Sequence, residues 1–262
     1  MGILNVTPDS FSDGGRFLAF DAAVAHGLQM ARDGADLIDV GGESTRPGAD
    51  PVDADAEADR IVPVVRALTR EGIVVSIDTS KATVARAAIA DGAAIVNDVT
   101  ALGDPAMATL VAESGVGLVL MHMLGSPRTM QDDPRYADVV EDVANYLVDR
   151  TEHAVVHGVD PSRICVDPGI GFGKTVAHNL DLLTDGVARL AGTGRPVLVG
   201  ASRKSFIERV LGPIPVEERD GPTTAAHALA IASGASVIRT HNVVEGLRSA
   251  RMVDAIVRRE RP

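Results

Sequence analysis

The sequence predicts an α/β protein that forms a single-domain (β/α)8 TIM barrel. Eight short runs rich in Val, Ile and Leu recur along the 262 residues, and Ala-rich amphipathic stretches lie between them. Continuously apolar runs are typical of strands that are covered on both faces, as in parallel sheets. Eight β–α units in a chain of this length fit such a barrel. An open, doubly wound parallel sheet is the alternative.

The predicted elements follow from these runs in chain order. Strands are expected at residues 3–6, 37–40, 73–77, 94–96, 117–121, 163–166, 196–199 and 236–239. Helices are expected at residues 21–33, 55–70, 83–91, 105–114, 138–157 and 243–259. A glycine often separates a helix from the next strand, as a left-handed cap would. Residues 202–222 are expected to be only partly helical, because Pro213, Pro215 and Pro222 interrupt them.

Composition limits the class of protein. Hydrophobic residues make up 45% and charged residues 23%, as in an ordinary globular domain, and no low-complexity linker divides residues 1–262. A net charge of −11 argues against nucleic acid as a partner. No apolar run has the length of a membrane span. The single cysteine, Cys165, excludes an internal disulfide and indicates a cytoplasmic protein, and its apolar strand favours a packed thiol over a nucleophile.

Polar residues follow nearly every predicted strand. In a barrel of this kind the active site lies at the carboxyl ends of the strands, so these residues are expected to converge there. Each of them alone could be a turn or capping residue. In strand order they are Asn5, the segment 43–46, Asp78, Asn97 with Asp98, His122, Asp167, the segment 202–204, and Arg239 with His241.

The chemistry of this set indicates a ligand class. Two carboxylates and an amide, from Asp78, Asp167 and Asn97, can bind the donor and acceptor edge of a flat nitrogen heterocycle. Lys204 can donate to a carbonyl or ring nitrogen of the same ligand and offset buried negative charge.

A second group of residues suits phosphate. Arg46, Arg239 and His241 are cationic donors of the type that binds phosphate oxygens. Asn5 offers an oxygen to Mg²⁺, which often bridges phosphates and keeps several waters. We therefore expect a heterocycle that carries a phosphate or diphosphate.

Eight sequence blocks occur together and in order across nearly the whole chain. They are GILNVTPDSFSDGG at 2–15, DVGGESTRPGA at 39–49, SIDT at 76–79, NDV at 97–99, MHM at 121–123, DPGIGFGKT at 167–175, GASRKSF at 200–206 and RTH at 239–241. Together they resemble the dihydropteroate synthase family of pterin-binding barrels.

That resemblance implies a transferase of folate biosynthesis. It would join 6-hydroxymethyl-7,8-dihydropterin diphosphate to p-aminobenzoate with Mg²⁺, giving 7,8-dihydropteroate and diphosphate, by loss of diphosphate followed by attack of the arylamine. The resemblance also implies a sulfonamide target and a homodimer formed through helices near the carboxyl terminus.

The resemblance assigns roles to residues of this chain. The implied catalytic residues are Asp78, Lys204, Arg239 and His241. The implied pterin ligands are Asp78, Asn97, Met121, Asp167 and Lys204. The implied diphosphate ligands are Asn5, Arg46, Arg239 and His241, with Asn5 also on the metal. The implied aminobenzoate site consists of Phe11, Asp13, Thr45, Arg46, Pro47, Phe172 and Ser202.

The sequence departs from the family pattern at one position, and three alternative functions remain. Asn242 follows His241 where members of that family often have Asp, and we expect a small effect. A pterin-dependent corrinoid methyltransferase would share the barrel but would not require the diphosphate set. A non-catalytic pterin-binding paralogue is the second alternative, and it should have eroded loop motifs. In a third, Lys204 would be the Schiff-base lysine of an aldolase.

Overall fold

Eight parallel strands form the centre of the molecule in a computed structural model that describes residues 1–6, 15–46 and 48–259, with the backbone alone for 15–19. The strands are β1 Gly2–Asn5, β2 Ile38–Gly41, β3 Val75–Asp78, β4 Ile95–Asp98, β5 Gly117–Met121, β6 Ile164–Asp167, β7 Leu198–Val199 and β8 Val237–Ile238. Each begins and ends within two residues of its predicted position.

The strands close into a barrel. Strands β1 to β6 form one sheet in chain order, and β7 pairs with β8. Single parallel bridges join Val166 to Val197 and Gly2 to Thr240, which connects the two sheets at both seams. At the second seam the Ile3 amide donates to the Thr240 carbonyl at 3.0 Å. The predicted (β/α)8 barrel is therefore confirmed, and the alternative, an open doubly wound sheet, is not what the chain forms.

Helices surround the strands. They are α1 Gly15–Arg32, α2 Ala54–Arg70, α3 Ala82–Ala90, α4 Met107–Ser114, α5 Val139–Val156, α6 Val176–Asp181, α7 Val187–Ala191, α8 Ser205–Leu211, α9 Asp220–Ala232 and α10 Val243–Val253. A π-helical turn, Leu182–Gly186, joins α6 to α7, and another, Asp254–Arg258, follows α10. None of the helices that the structure describes has both the length and the apolar character needed to cross a bilayer.

The helices pack apolar faces on the outside of the barrel. Helix α2 is typical, since its Ile61, Val64, Val65 and Leu68 are fully buried. Each such side chain stabilises the fold by about 2 kcal/mol through removal of apolar surface from water. This packing holds the strand ends, and with them the polar residues, in fixed positions.

Two helical regions differ from the prediction. Helices α6 and α7 were not predicted, because each is only about a turn long and the π-helical turn between them disrupts the 3.6-residue period. Pro222 was expected to break a helix but lies in the first turn of α9. A proline is tolerated there because the first amides of a helix have no intrahelical acceptor.

Candidate active site

The strand register brings the predicted polar residues together at the carboxyl end of the barrel. Asp78 pairs in register with Gly41 on one side and Asn97 on the other, and Met121 pairs with Asp167. Asn97, Met121 and Asp167 are buried there. The expectation that these side chains share one end of the barrel is fulfilled.

An acid–guanidinium cluster occupies the interior at this end. Arg239 donates from Nε to Asp39 Oδ2 at 2.6 Å and from Nη2 to Asp78 Oδ2 at 2.8 Å. Asn97 donates from Nδ2 to the same Asp39 oxygen at 3.0 Å. Two of the guanidinium nitrogens thus bind carboxylates of the protein, although the sequence suggested that Arg239 serves a diphosphate.

Asp39 was missed as a site residue by sequence reasoning. Its side chain is fully buried on β2, between the guanidinium and the amide. The available signal was a carboxylate within an otherwise apolar strand, which is costly to bury unless it is paired.

The cluster changes the acidity of Asp78. Burial raises the pKa of its carboxyl to about 7, although the Arg239 guanidinium acts in the opposite direction, and the carboxylates of Asp39, Glu57 and Asp98 add to the rise. Asp78 therefore changes charge near neutral pH, the range in which a carboxyl can be tuned for a reaction.

Lys204 and Asp167 lie near enough to influence each other's pKa beside this cluster. Lys204 directs its ammonium to the Ile170 carbonyl and over the Phe172 ring, 4.5 Å from the ring centroid. Burial lowers the pKa of Lys204 to about 8 while Asp167 opposes the shift. Burial likewise raises the pKa of Asp167, whose Oδ1 accepts the Gly169 amide at 2.7 Å. This arrangement offers a flat ligand an acceptor, a donor and an aromatic face.

Ser202 and His241 meet at the junction of β7 and β8. The Ser202 hydroxyl lies 2.9 Å from His241 Nδ1 and accepts the His241 amide at 3.1 Å. Burial lowers the pKa of His241 to about 4, and Arg203 and Arg239 act in the same direction. This shift favours the neutral imidazole. An anion bound beside it would raise that pKa again.

The remaining predicted residues divide into two groups. Asn5 is half-buried at the end of β1, and Thr45 and Arg46 lie in the loop after β2, with Arg46 exposed. Phe11, Asp13 and Pro47 lie outside the described residues. Thr45 and Asp78 line the same cavity of about 200 Å³, which also contacts Val99 and Met123. The cavity links the β2 loop to the barrel interior.

A buried lysine holds the loop that carries Phe172. Lys174 is almost fully buried, and its Nζ lies 2.9 Å from His122 Nδ1, 2.9 Å from the Phe172 carbonyl and 3.3 Å from the His122 carbonyl. The lysine therefore fastens the loop after β6 to the end of β5. A lysine in a glycine-rich segment gives no sequence signal for burial, so this residue was missed.

A carboxylate–lysine cluster anchors the loop that carries Thr45 and Arg46. Lys81 contacts both Glu43 and the fully buried Glu57. Glu43 also accepts the Val52 amide at 3.2 Å, which ties the two ends of the loop together.

Replacing Lys81 with Met is expected to lower the free energy of unfolding by about 3 kcal/mol, because it leaves the buried Glu57 carboxylate without a cation. Urea denaturation at pH 7.5 would measure this. Arg248→Met, which breaks the exposed pair with Glu245, is the control and should cost less than about 1 kcal/mol. Equal costs for the two variants would contradict the role of Lys81.

Replacing Cys165 with Ser is expected to leave turnover within about twofold of the wild type. Burial raises the pKa of the thiol to about 12, and the nearby Asp167 carboxylate acts in the same direction. The thiolate needed for nucleophilic attack is therefore scarce at neutral pH. Steady-state kinetics of the folded variant would check this, and complete inactivity would restore Cys165 as a candidate nucleophile.

Comparison with known proteins identifies the family. Residues 1–241 match the model of the pterin-binding enzymes. The dihydropteroate synthase of Mycobacterium leprae is 50% identical over 262 residues, which cover 97% of this chain and 92% of that protein.

Solved structures agree with this match. The Xanthomonas albilineans dihydropteroate synthase with 4-aminobenzoic acid superposes with a TM-score of 0.92 at 45% identity, covering 100% of this chain and 93% of the other. The same enzyme with 7,8-dihydropteroate gives a TM-score of 0.89 at 42% identity, covering 100% of this chain and 94% of the other. These relatives favour the synthase over the methyltransferase, paralogue and aldolase alternatives. The chain belongs to the pterin-binding enzymes, in the dihydropteroate synthase family.

Proposed function

We propose that this chain joins 6-hydroxymethyl-7,8-dihydropterin diphosphate to p-aminobenzoate, releasing 7,8-dihydropteroate and diphosphate. The observation that carries the proposal is the set of buried Asn97 and Asp167 and partly buried Asp78 and Lys204 at the carboxyl end of the barrel. Carboxylate, amide and ammonium groups there complement the ring nitrogens, amino group and carbonyl of a pterin. Relatives with 43–50% identity that carry the synthase name support the same reaction.

In this proposal the reacting carbon lies near Asp78. The bond between the exocyclic methylene carbon and the diphosphate oxygen breaks, and the electron pair leaves with the diphosphate. The carbon becomes cationic, and the ionised Asp78 carboxylate stabilises that charge. The arylamine nitrogen then forms the new bond and loses a proton.

The diphosphate ligands come from β1 and the loops after β2 and β8. Arg46 and His241 would donate to the departing oxygens, with Arg239 contributing positive charge through the acid–guanidinium cluster. This charge stabilises the leaving group as it develops.

Mg²⁺ fits the donor set at the same end of the barrel. Among the described residues no group of three or more His, Cys, Asp or Glu side chains could enclose a metal. Asn5 offers an amide oxygen at the end of β1, which suits an ion that takes most of its ligands from phosphate and water. When bound, Mg²⁺ would supply positive charge to the leaving diphosphate.

The p-aminobenzoate site would lie between the β2 loop and the loop after β6. Thr45, Arg46, Phe172 and Ser202 would border that space, and Phe11, Asp13 and Pro47 stay predictions for the same site. The Phe172 ring, held through Lys174, supplies a flat apolar surface for the aminobenzoate ring.

A homodimer is part of the same proposal. Leu229 on α9 and Met252 and Ile256 near the end of the chain are 58%, 62% and 65% exposed. A second copy would remove this apolar surface from water. Sedimentation equilibrium should give twice the chain mass, and a monomer at micromolar concentration would contradict the dimer.

Replacing Lys204 with Met tests the pterin pocket. The variant keeps the length of the side chain but loses the buried charge that faces Asp167, so we expect affinity for the pterin diphosphate to fall by about tenfold or more. Calorimetric titration with the pterin diphosphate measures the affinity directly. Arg209→Met, at an exposed position in the last turn of α8, is the control. Wild-type affinity in the Lys204 variant would remove Lys204 from the pocket.

A further inference from the structure

Arg203 lies between two site residues and has an unusual backbone conformation. Its φ is +56°, in the left-handed region that residues other than glycine rarely adopt. On one side of it Ser202 reaches His241, and on the other Lys204 reaches the Ile170 carbonyl. The turn at Arg203 therefore sets the directions of both neighbouring side chains.

The start of α9 holds Arg203 in this conformation. The guanidinium donates from Nε to Asp220 Oδ1 at 2.6 Å and from Nη2 to Oδ2 at 2.9 Å, a two-point contact. The Arg203 amide donates to the Thr223 hydroxyl at 3.0 Å, and its carbonyl accepts Arg219 Nη1 at 3.4 Å. Both backbone polar groups and the side chain of Arg203 are thus fixed by residues 219–223.

The same Asp220 carboxylate also reaches the β8 loop. Its Oδ2 accepts Asn242 Nδ2 at 2.9 Å, and Asn242 Oδ1 accepts the Glu245 amide at the start of α10. His241 directly precedes Asn242. One carboxylate therefore connects the loop after β7 to the loop after β8.

The amide at position 242 suits this contact. A carboxylate at position 242 would place a second negative charge about 2.9 Å from the Asp220 carboxylate, where the Asn242 amide now donates a hydrogen bond. The contact with Asp220 therefore favours an amide at position 242 in this chain.

We propose that Asp220 is a positioning residue for the reaction. Through Arg203 and Asn242 it fixes how the site residues of the two loops lie relative to each other. This inference rests on the proposed function, since those loops carry the groups assigned to the pterin and the diphosphate. A misplacement of about 1 Å in such groups can lower a rate by about 100-fold.

The first test compares two matched variants, Asp220→Ala and Asp91→Ala. Asp91 forms the same two-point contact with Arg66, at 2.7 and 2.9 Å, and the two aspartate side chains are equally exposed at 21%. Asp91 follows α3, before β4, at the opposite end of the barrel from the site. We expect Asp220→Ala to lower kcat/KM and the affinity for the pterin diphosphate by about tenfold or more. Asp91→Ala should keep both within about twofold.

A double-mutant cycle tests whether Asp220 acts through the site. If it positions His241, the loss in Asp220→Ala/His241→Ala should be smaller than the product of the two single losses. Losses that multiply would show an independent structural role and overturn the inference.

Arg203→Gly keeps the test decisive if Asp220→Ala does not fold. Glycine adopts a positive φ without steric cost, so this variant removes the contact with Asp220 and adds no strain. We expect it to fold and to lose affinity for the pterin diphosphate by about tenfold. Wild-type affinity in the folded variant would overturn the inference. If the wild type binds the pterin diphosphate without turnover, the proposed function fails, and the effect of Asp220 on affinity still decides the inference.

Discussion

Replacing Asp78 with Asn is expected to lower kcat by about 100-fold or more while the protein stays folded. The amide keeps the shape of the carboxyl but cannot carry the negative charge that would face the developing cation. Asp78 is also one of the two carboxylates that bind Arg239, so the loss of charge alters the whole cluster. Steady-state kinetics at saturating substrates, with circular dichroism as the check on folding, measures the effect.

The pH profile gives this prediction a second, independent readout. Because the pKa of Asp78 is raised to about 7, its ionised fraction falls as pH drops below 7, and kcat/KM of the wild type should fall with it. The acidic limb should be absent in Asp78→Asn.

Asp98→Asn is the control for the pH profile. That buried carboxyl binds the Thr100 and Leu102 amides, so its replacement should keep the acidic limb. The limb should move to lower pH, because the Asp98 carboxylate adds to the rise of the Asp78 pKa. An unchanged limb in Asp78→Asn would show that another group titrates.

Replacing Arg239 with Met is expected to lower the free energy of unfolding by about 3–5 kcal/mol. The guanidinium binds both Asp39 and Asp78, and its removal leaves buried carboxylates without a cation. The destabilisation should shrink as pH falls, because protonation of those carboxylates removes the unpaired charge. Urea denaturation between pH 5 and 8 measures both effects.

Arg66→Met provides the comparison for this stability change. Arg66 makes a two-point contact with Asp91, but its side chain is 51% exposed, so its loss should cost much less than the loss of Arg239 at any of these pH values. A cost for Arg239→Met as small as that would contradict the cluster as a stabilising feature of the fold.

The barrel and the ends of its strands could be predicted because they depend on local pattern. Continuous apolar runs predict buried parallel strands, and the residue after each run then lies at the active end. Helices α6, α7 and α9 were missed, because a π-helical turn and a proline in a first turn hide the helical period.

The contacts within the site could not be predicted in the same way. Arg239 binds Asp39 across 200 positions of sequence, and no local pattern specifies that pairing. The burial of Lys174 and the neutral state of His241 depend on groups that several different strands bring together. Such contacts and pKa values arise from tertiary structure.

Diphosphate release and pteroate formation, measured together, are the most direct test of the proposed synthase reaction. The purified chain would be incubated with the pterin diphosphate and Mg²⁺, with and without p-aminobenzoate. A synthase should release diphosphate only when p-aminobenzoate is present, in an amount equal, mole for mole, to the pteroate formed. Binding of the pterin diphosphate without release under either condition would contradict the synthase and favour a non-catalytic pterin-binding protein.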